Sequence, residues 1–201
     1  MAGNLGGLYL DDEILFQGPG FTIARSHVPG TLVPYASANR ADGNVNHGWL
    51  DLRGRPDLVS QIPEARKSAG LTKLLEAIAQ PSSELMSSGC ECAAFDHGEE
   101  APNSRWHVGG FVDVMFKDAE RNRDPESLVT LARRLLAGVR GSEEHHFGFE
   151  MIVEPLKAFF GHDGCHALMA KPIGYGPDEQ KAWTNFNFAA SALADAVTAL
   201  R

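Results

Sequence analysis

Two stretches of this chain alternate their side chains with a period of two, and that pattern restricts the fold more than any other feature. In Trp106–Lys117, one file holds Trp106, Val108, Val112, Val114 and Phe116, and the other holds His107, Phe111, Asp113, Met115 and Lys117. In Phe147–Pro155, Phe147, Phe149, Met151 and Val153 oppose Glu150, Ile152 and Glu154. Successive strand residues point to opposite faces, so each stretch is predicted to be a strand with one apolar face in a core and one mixed face outside it. Such a sheet must bury its apolar face under other elements. The chain supplies helices for this. Leu71, Leu74, Leu75 and Ile78 follow the i, i+3, i+4, i+7 rule before Pro81. Asp124, Pro125 and Glu126 are an N-cap, a first-turn proline and a first-turn acid, ahead of the stripe Leu128, Leu131, Ala132, Leu135, Leu136, Val139. A last helix opens after Gly174-Tyr175-Gly176-Pro177 and is predicted to bury Ala182, Trp183, Phe186, Ala190, Leu193, Val197 and Leu200.

Further strands are expected at Gly48–Arg53, Cys90–Phe95 and Cys165–Ile173. From residue 48 the order is then strand, helix, strand, strand, helix, strand, strand, helix. Its first six members spell βαββαβ, the ferredoxin-like order, with helices on one face of a largely antiparallel sheet and a C-terminal helix added. The other arrangement with this grammar is a set of consecutive ββα units on one curved sheet, and element order alone does not separate the two. Residues 1–47 read as a strand- and turn-rich extension, with strands at Leu8–Leu10, Glu13–Gln17, Phe21–Arg25 and Leu32–Ala36 and a polar loop from Ser37 to His47. Residues 48–201 form the main body of a single α+β domain. The length of 201 residues, with 43% hydrophobic and 22% charged, suits one globular unit with an adequate core.

The net charge of −8 argues against broad binding to nucleic acid, which needs clustered Lys and Arg, and favours a basic partner. Three cysteines are too few for a disulfide framework, and the expected state is reduced thiols in the cytoplasm. Met1–Gly7 lacks a basic leader, and no stretch approaches the roughly eighteen apolar residues of a membrane helix, so neither secretion nor membrane insertion is expected.

No GxGxxG, P-loop, HExxH, G-x-S-x-G, EF-hand loop or paired CxxC is present, and the sequence points to no particular cofactor. The leading site candidate is the mixed sheet face, where alternation gathers His107, Asp113, Glu150 and Glu154, with Glu91 beside them. A histidine among carboxylates can share a proton or hold a divalent cation. Four further features are weighed against ordinary structural roles. His162-Asp163-Gly164-Cys165-His166, with His145 and His146, concentrates zinc-type ligands, but Cys165 and His166 point to opposite faces of a strand. Cys90 and Cys92, near His97 or His107, have the makings of a thiol nucleophile, though small core filling is the simpler role. The Gly174–Gln180 turn offers backbone N–H groups to an anion, but Asp178 and Glu179 already occupy that dipole. Phe188 and Asn187 fall off the buried stripe of the last helix, which leaves an aromatic for a partner or for a homodimer.

The acidic composition and strand–helix order are similar to those of small cytoplasmic accessory proteins such as secretion chaperones and toxin-immunity proteins, a likeness of composition with no motif behind it. The function expected first is therefore a module that binds another protein. It would show a contiguous exposed patch and no deep polar pocket. The alternative is a metal-dependent hydrolase using His107, Asp113, Glu150 and Glu154, which requires those side chains to converge. A third is a small-ligand carrier lined by Trp106, Phe111 and Met115.

Overall fold

Both alternating stretches are strands of one sheet in the computed structural model, which describes residues 12–39, 45–98 and 102–200. In chain order the elements are β1 (Glu13–Gly18), β2 (Phe21–Arg25), the two-residue strands β3 (Leu32–Val33), β4 (Ala38–Asn39) and β5 (Val45–Asn46), α1 (Ala69–Ala79), β6 (Leu85–Asp96), β7 (Trp106–Phe116), α2 (Ala119–Arg123), α3 (Pro125–Gly138), β8 (Phe147–Pro155), β9 (Ala158–Phe159), β10 (His166–Gly176) and α4 (Glu179–Ala199). Short 3-10 turns at Pro56–Gln61 and Ala65–Lys67 precede α1. Among the described residues the main sheet runs β1-β2-β8-β10-β7-β6. Its neighbours are antiparallel except for β2 and β8, which are parallel.

The predicted apolar files face α1, α3 and α4. Val108, Val112 and Val114 from β7, Met151 and Val153 from β8, and Leu168 from β10 are fully buried there with Leu71, Leu128, Phe186 and Leu193 from the helices. Each helix starts where its cap dictates. The Ser68 Oγ accepts from Leu71 N, the Asp124 carboxylate from Glu126 N, and the Asp178 carboxylate from Lys181 N. Each such cap stabilises by about 1 kcal/mol.

The strand expected over Gly48–Arg53 does not form. The Asp51 carboxylate turns back on Arg53, accepting from its backbone N at 3.1 Å, its Nε at 2.8 Å and its Nη2 at 2.7 Å. Gly48 and Gly54 flank this turn at φ +83° and +71°. The βαββαβ series therefore lacks its first strand, and the ferredoxin-like order is not seen. What stands instead is a β6–β7 hairpin followed by α2 and α3, and a β8–β10 hairpin followed by α4. The two are joined edge to edge by the β7–β10 pairing.

The extension belongs to the same sheet. β1 and β2 add to the β8 edge, and the chain then crosses the face away from the helices. Ser26 N donates to Val153 O, Gly30 N to Pro155 O, and Lys157 N to Thr31 O, while β3 pairs with β9. This strap covers a second apolar cluster of Val33, Met86, Met115, Leu156 and Phe159. The expected strand at Leu8–Leu10 and much of the Ser37–His47 loop lie outside the described residues.

Candidate functional site

His107, Asp113, Glu150 and Glu154 share the outer face, as the alternation requires, but they do not meet at one point. Tyr175 lies across from His107, Lys171 from Glu150, Met169 from both Asp113 and Ile152, and Ala167 from Glu154. Six residues of strand, about 20 Å, separate His107 from Asp113. The quartet splits into two groups.

The first is aromatic and cationic. The His107 ring stacks on Phe95 (4.8 Å, 18°) and on His97 (4.6 Å, 15°), and its Nδ1 contacts His97 Nε2. Burial lowers the His107 pKa, and the charges of His97 and Lys171 lower it further against the opposing pull of Glu150. Glu150 accepts from the buried Lys171 Nζ at 2.6 Å. This pair neutralises the carboxylate locally and leaves it an acceptor already engaged.

The second group surrounds Asp113, which lies in the wall between two cavities. The larger, about 740 Å³, is bounded by Tyr35, Trp49, Leu52, Ile62, Glu64, Phe111, Asp113 and the unbroken run Ser87–Ala93 of β6. The smaller, about 230 Å³, is a recess under the strap, bounded by Pro29, Gly30, Phe111, Asp113, Ile152, Glu154 and Met169. Asp113 is 7% exposed, and its Oδ1 has no hydrogen-bond partner. Burial pushes its carboxyl well above the usual range, and the Glu154 charge pushes it further. Glu154 is itself pushed up to about 7, chiefly by burial and then by Asp12. Two more buried polar atoms without partners, Trp49 Nε1 and Ser88 Oγ, belong to residues of the larger cavity. A buried polar group left unpaired costs about 1–3 kcal/mol, so three at one site form a set of unanswered hydrogen-bonding positions. Tyr35 Oη donates to Ser88 O at 2.9 Å, and burial, followed by Asp113, pushes its phenol up to about 12.

A bulge shapes this wall. The β6–β7 register shifts between Ser87 and Gly89, which sets Ser88 out of the ladder. Gly89 then faces Asp113, and a Cβ there would stand 3.3 Å from Asp113 Oδ2 and 3.4 Å from Tyr35 Oη.

The other sequence candidates resolve into local roles. Burial pushes the Cys90 thiol far up and the Cys92 thiol to about 11, so both hold their protons, and Cys92 Sγ donates to Glu64 O at 3.7 Å. Cys165 Sγ contacts Ala119 O at 3.7 Å, while His166 Nδ1 lies 3.3 Å from Asn122 O. Among the described residues no three His, Cys, Asp or Glu side chains form a group that could hold a metal ion. Asp178 caps α4 in the Gly174–Gln180 turn. Phe188 is covered by His145 (4.1 Å, 13°) and Phe147, and Asn187 Oδ1 accepts from Ser68 Oγ at 2.6 Å and Gly70 N at 2.9 Å. Trp106 packs on the helix side, Met115 in the second cluster, and Phe111 borders both cavities. The polar cavity departs from the expectation of a protein-binding surface without a deep pocket.

Tyr35, Trp49, Glu64 and Ser88 are the site residues that sequence reasoning missed. One signal was legible. Ser87-Ser88-Gly89 breaks the run between Leu85-Met86 and Cys90, and a glycine inside a strand marks a bulge or a close approach. Among the described residues no helix is long and apolar enough to cross a membrane. No family model, curated protein or solved structure matches the chain.

Proposed function

We propose that this protein is a binding module whose ligand is an extended segment of another polypeptide, held along β6. One observation carries the proposal. Ser87–Ala93 borders the larger cavity without a break, although its alternate residues point to opposite faces. The strand's edge, rather than one of its faces, therefore looks into the space. Among the described residues β6 is the terminal strand of the sheet, and an edge of this kind is a template for strand addition. Seven residues of strand run about 23 Å, enough for a short extended segment. Trp49 Nε1, Ser88 Oγ and Asp113 Oδ1 offer hydrogen bonds that the chain itself leaves unmade. A net charge of −8 favours a basic partner. The alternative, a metal-dependent hydrolase built on His107, Asp113, Glu150 and Glu154, draws less support, because these side chains lie in two separate groups.

The test is selection of random displayed peptides on the purified full chain, followed by fluorescence polarisation and amide hydrogen exchange with the selected peptides. Bound peptide is expected to slow exchange across β6. Trp49→Phe and Ser88→Ala, which each delete one polar group, are expected to weaken binding by about tenfold together. Failure to select any peptide above a blank selection, or binding that leaves β6 exchange unchanged, would overturn the reading.

A further inference from the structure

We infer that the bound segment presents a lysine or arginine whose stem crosses the gap at Gly89 and whose cationic head meets Asp113, with Glu154 behind it. This deepens the peptide-binding reading and rests on it. Three observations support the assignment.

The first is an unanswered buried acid. Asp113 is 7% exposed with one carboxyl oxygen unpartnered, and among the described residues no ion pair reaches either Asp113 or Glu154. Elsewhere on the same face the outcome differs, since Glu150 has its own lysine in Lys171. A buried carboxyl without a cation is a costly arrangement, and a cationic ligand group would remove the cost.

The second is access. Gly89 is the β6 residue directly across from Asp113, and it has no side chain to cover the carboxyl. Any Cβ at that position would already stand 3.3 Å from Asp113 Oδ2. A ligand lying along the β6 edge therefore has a short path to Asp113, within reach of a lysine or arginine stem. Asp113 stands on the next strand but one from such a ligand, two strand spacings or about 10 Å away in the backbone, a gap that a lysine or arginine stem and the Asp113 side chain span together.

The third is the lining. Around the acids the recess is apolar, with Phe111, Ile152 and Met169 on its walls. Lys and Arg carry a hydrocarbon stem ending in a charge, and such side chains lay the stem on apolar surface while the head finds polar partners. Phe111, which borders both cavities, and Ile152 and Met169 on the far side of Asp113 give such a stem and its head apolar neighbours. They suit a bare metal ion poorly, since it needs oxygen ligands on several sides.

The experiment uses the selected peptides in pairs, each with its basic residue intact or replaced by norleucine, which keeps the stem and deletes the charge. Wild-type protein is expected to bind the norleucine form about tenfold or more weakly. Asp113→Asn is expected to abolish most of that difference, and Glu154→Gln to reduce it. Thermal melting of both variants, expected at or above the wild-type midpoint, shows that lost discrimination is not lost folding. Peptides that bind and protect β6 but carry no preferred basic position, or that bind equally well with norleucine, overturn this inference and leave the peptide-binding reading standing. Absence of any β6-bound peptide removes both. Equal discrimination by wild type and Asp113→Asn assigns the charge contact elsewhere and also overturns it.

Discussion

Replacing Glu154 by glutamine tests the electrostatics of the recess without any ligand. Burial raises this carboxyl from 4.5 to about 7, with Asp12 adding to the effect. The folded protein thus holds the Glu154 proton more tightly than the unfolded chain does. Stability from this source is fully present below pH 4.5, declines as pH rises, and is spent once pH has passed about 7. At about 1.4 kcal/mol per pH unit, the ionised side chain costs the fold about 3 kcal/mol at alkaline pH, or about 2 kcal/mol once its partial exposure is allowed for. Glutamine has nearly the same shape and never ionises, so Glu154→Gln escapes the loss. At about pH 8.5 it is expected to melt above wild type by about 4–12 °C, since 1 kcal/mol moves a domain of this size by about 2–4 °C. Near pH 4.5 the two proteins are expected to melt together. Differential scanning calorimetry at fixed ionic strength across this range measures the gap. A gap that stays constant with pH, or a variant less stable than wild type under alkaline conditions, would refute the reasoning.

Ser68→Ala removes both the cap on α1 and a hydrogen bond to Asn187, and is expected to cost about 1–2 kcal/mol, read as a lower urea midpoint at unchanged slope. Cys90 and Cys92, whose thiols burial keeps protonated, are expected to react slowly with iodoacetamide in the folded protein and fast in urea, as mass spectrometry would show. Gly174→Ala is expected to abolish stable folding, because the added Cβ would collide with the Phe186 backbone nitrogen where α4 lies on β10. Loss of the cooperative melting transition is the readout.

The sheet was legible where one face is apolar and the other is not. Val108, Val112 and Val114 leave a strand no second register, and Asp124-Pro125 leaves α3 no other start. Gly48–Arg53 misled because Leu50 and Leu52 alternate with Trp49 and Asp51 as strand residues do. The competing signal was the local attraction of Asp51 for Arg53, which bends the backbone before a strand partner can be found. The face shared by Asp113 and Glu154 followed from parity, and the six strand residues between His107 and Asp113 already set about 20 Å between them. The cross-strand register that puts Lys171 beside Glu150 and Met169 between Asp113 and Ile152 did not follow, since parity assigns a side and not a pairing. The cavity was hidden for another reason. Tyr35, Trp49, Glu64, Ser88 and Asp113 come from distant parts of the chain, and the irregular stretch that carries Trp49 and Glu64 has no period to read.

The parallel join between β2 and β8 also has a consequence for how the molecule is made. Phe21 pairs with Phe149 and Arg25 with Val153, so the early hairpin must wait for a strand synthesised much later before it can dock. Closing so long a loop is slow compared with forming the β6–β7 or β8–β10 hairpins from neighbouring residues. The strap that roofs the acid recess is tethered to that same late strand through Ser26 and Gly30. On the ribosome the nascent chain therefore completes the acid recess only after the β8–β10 half has emerged and folded.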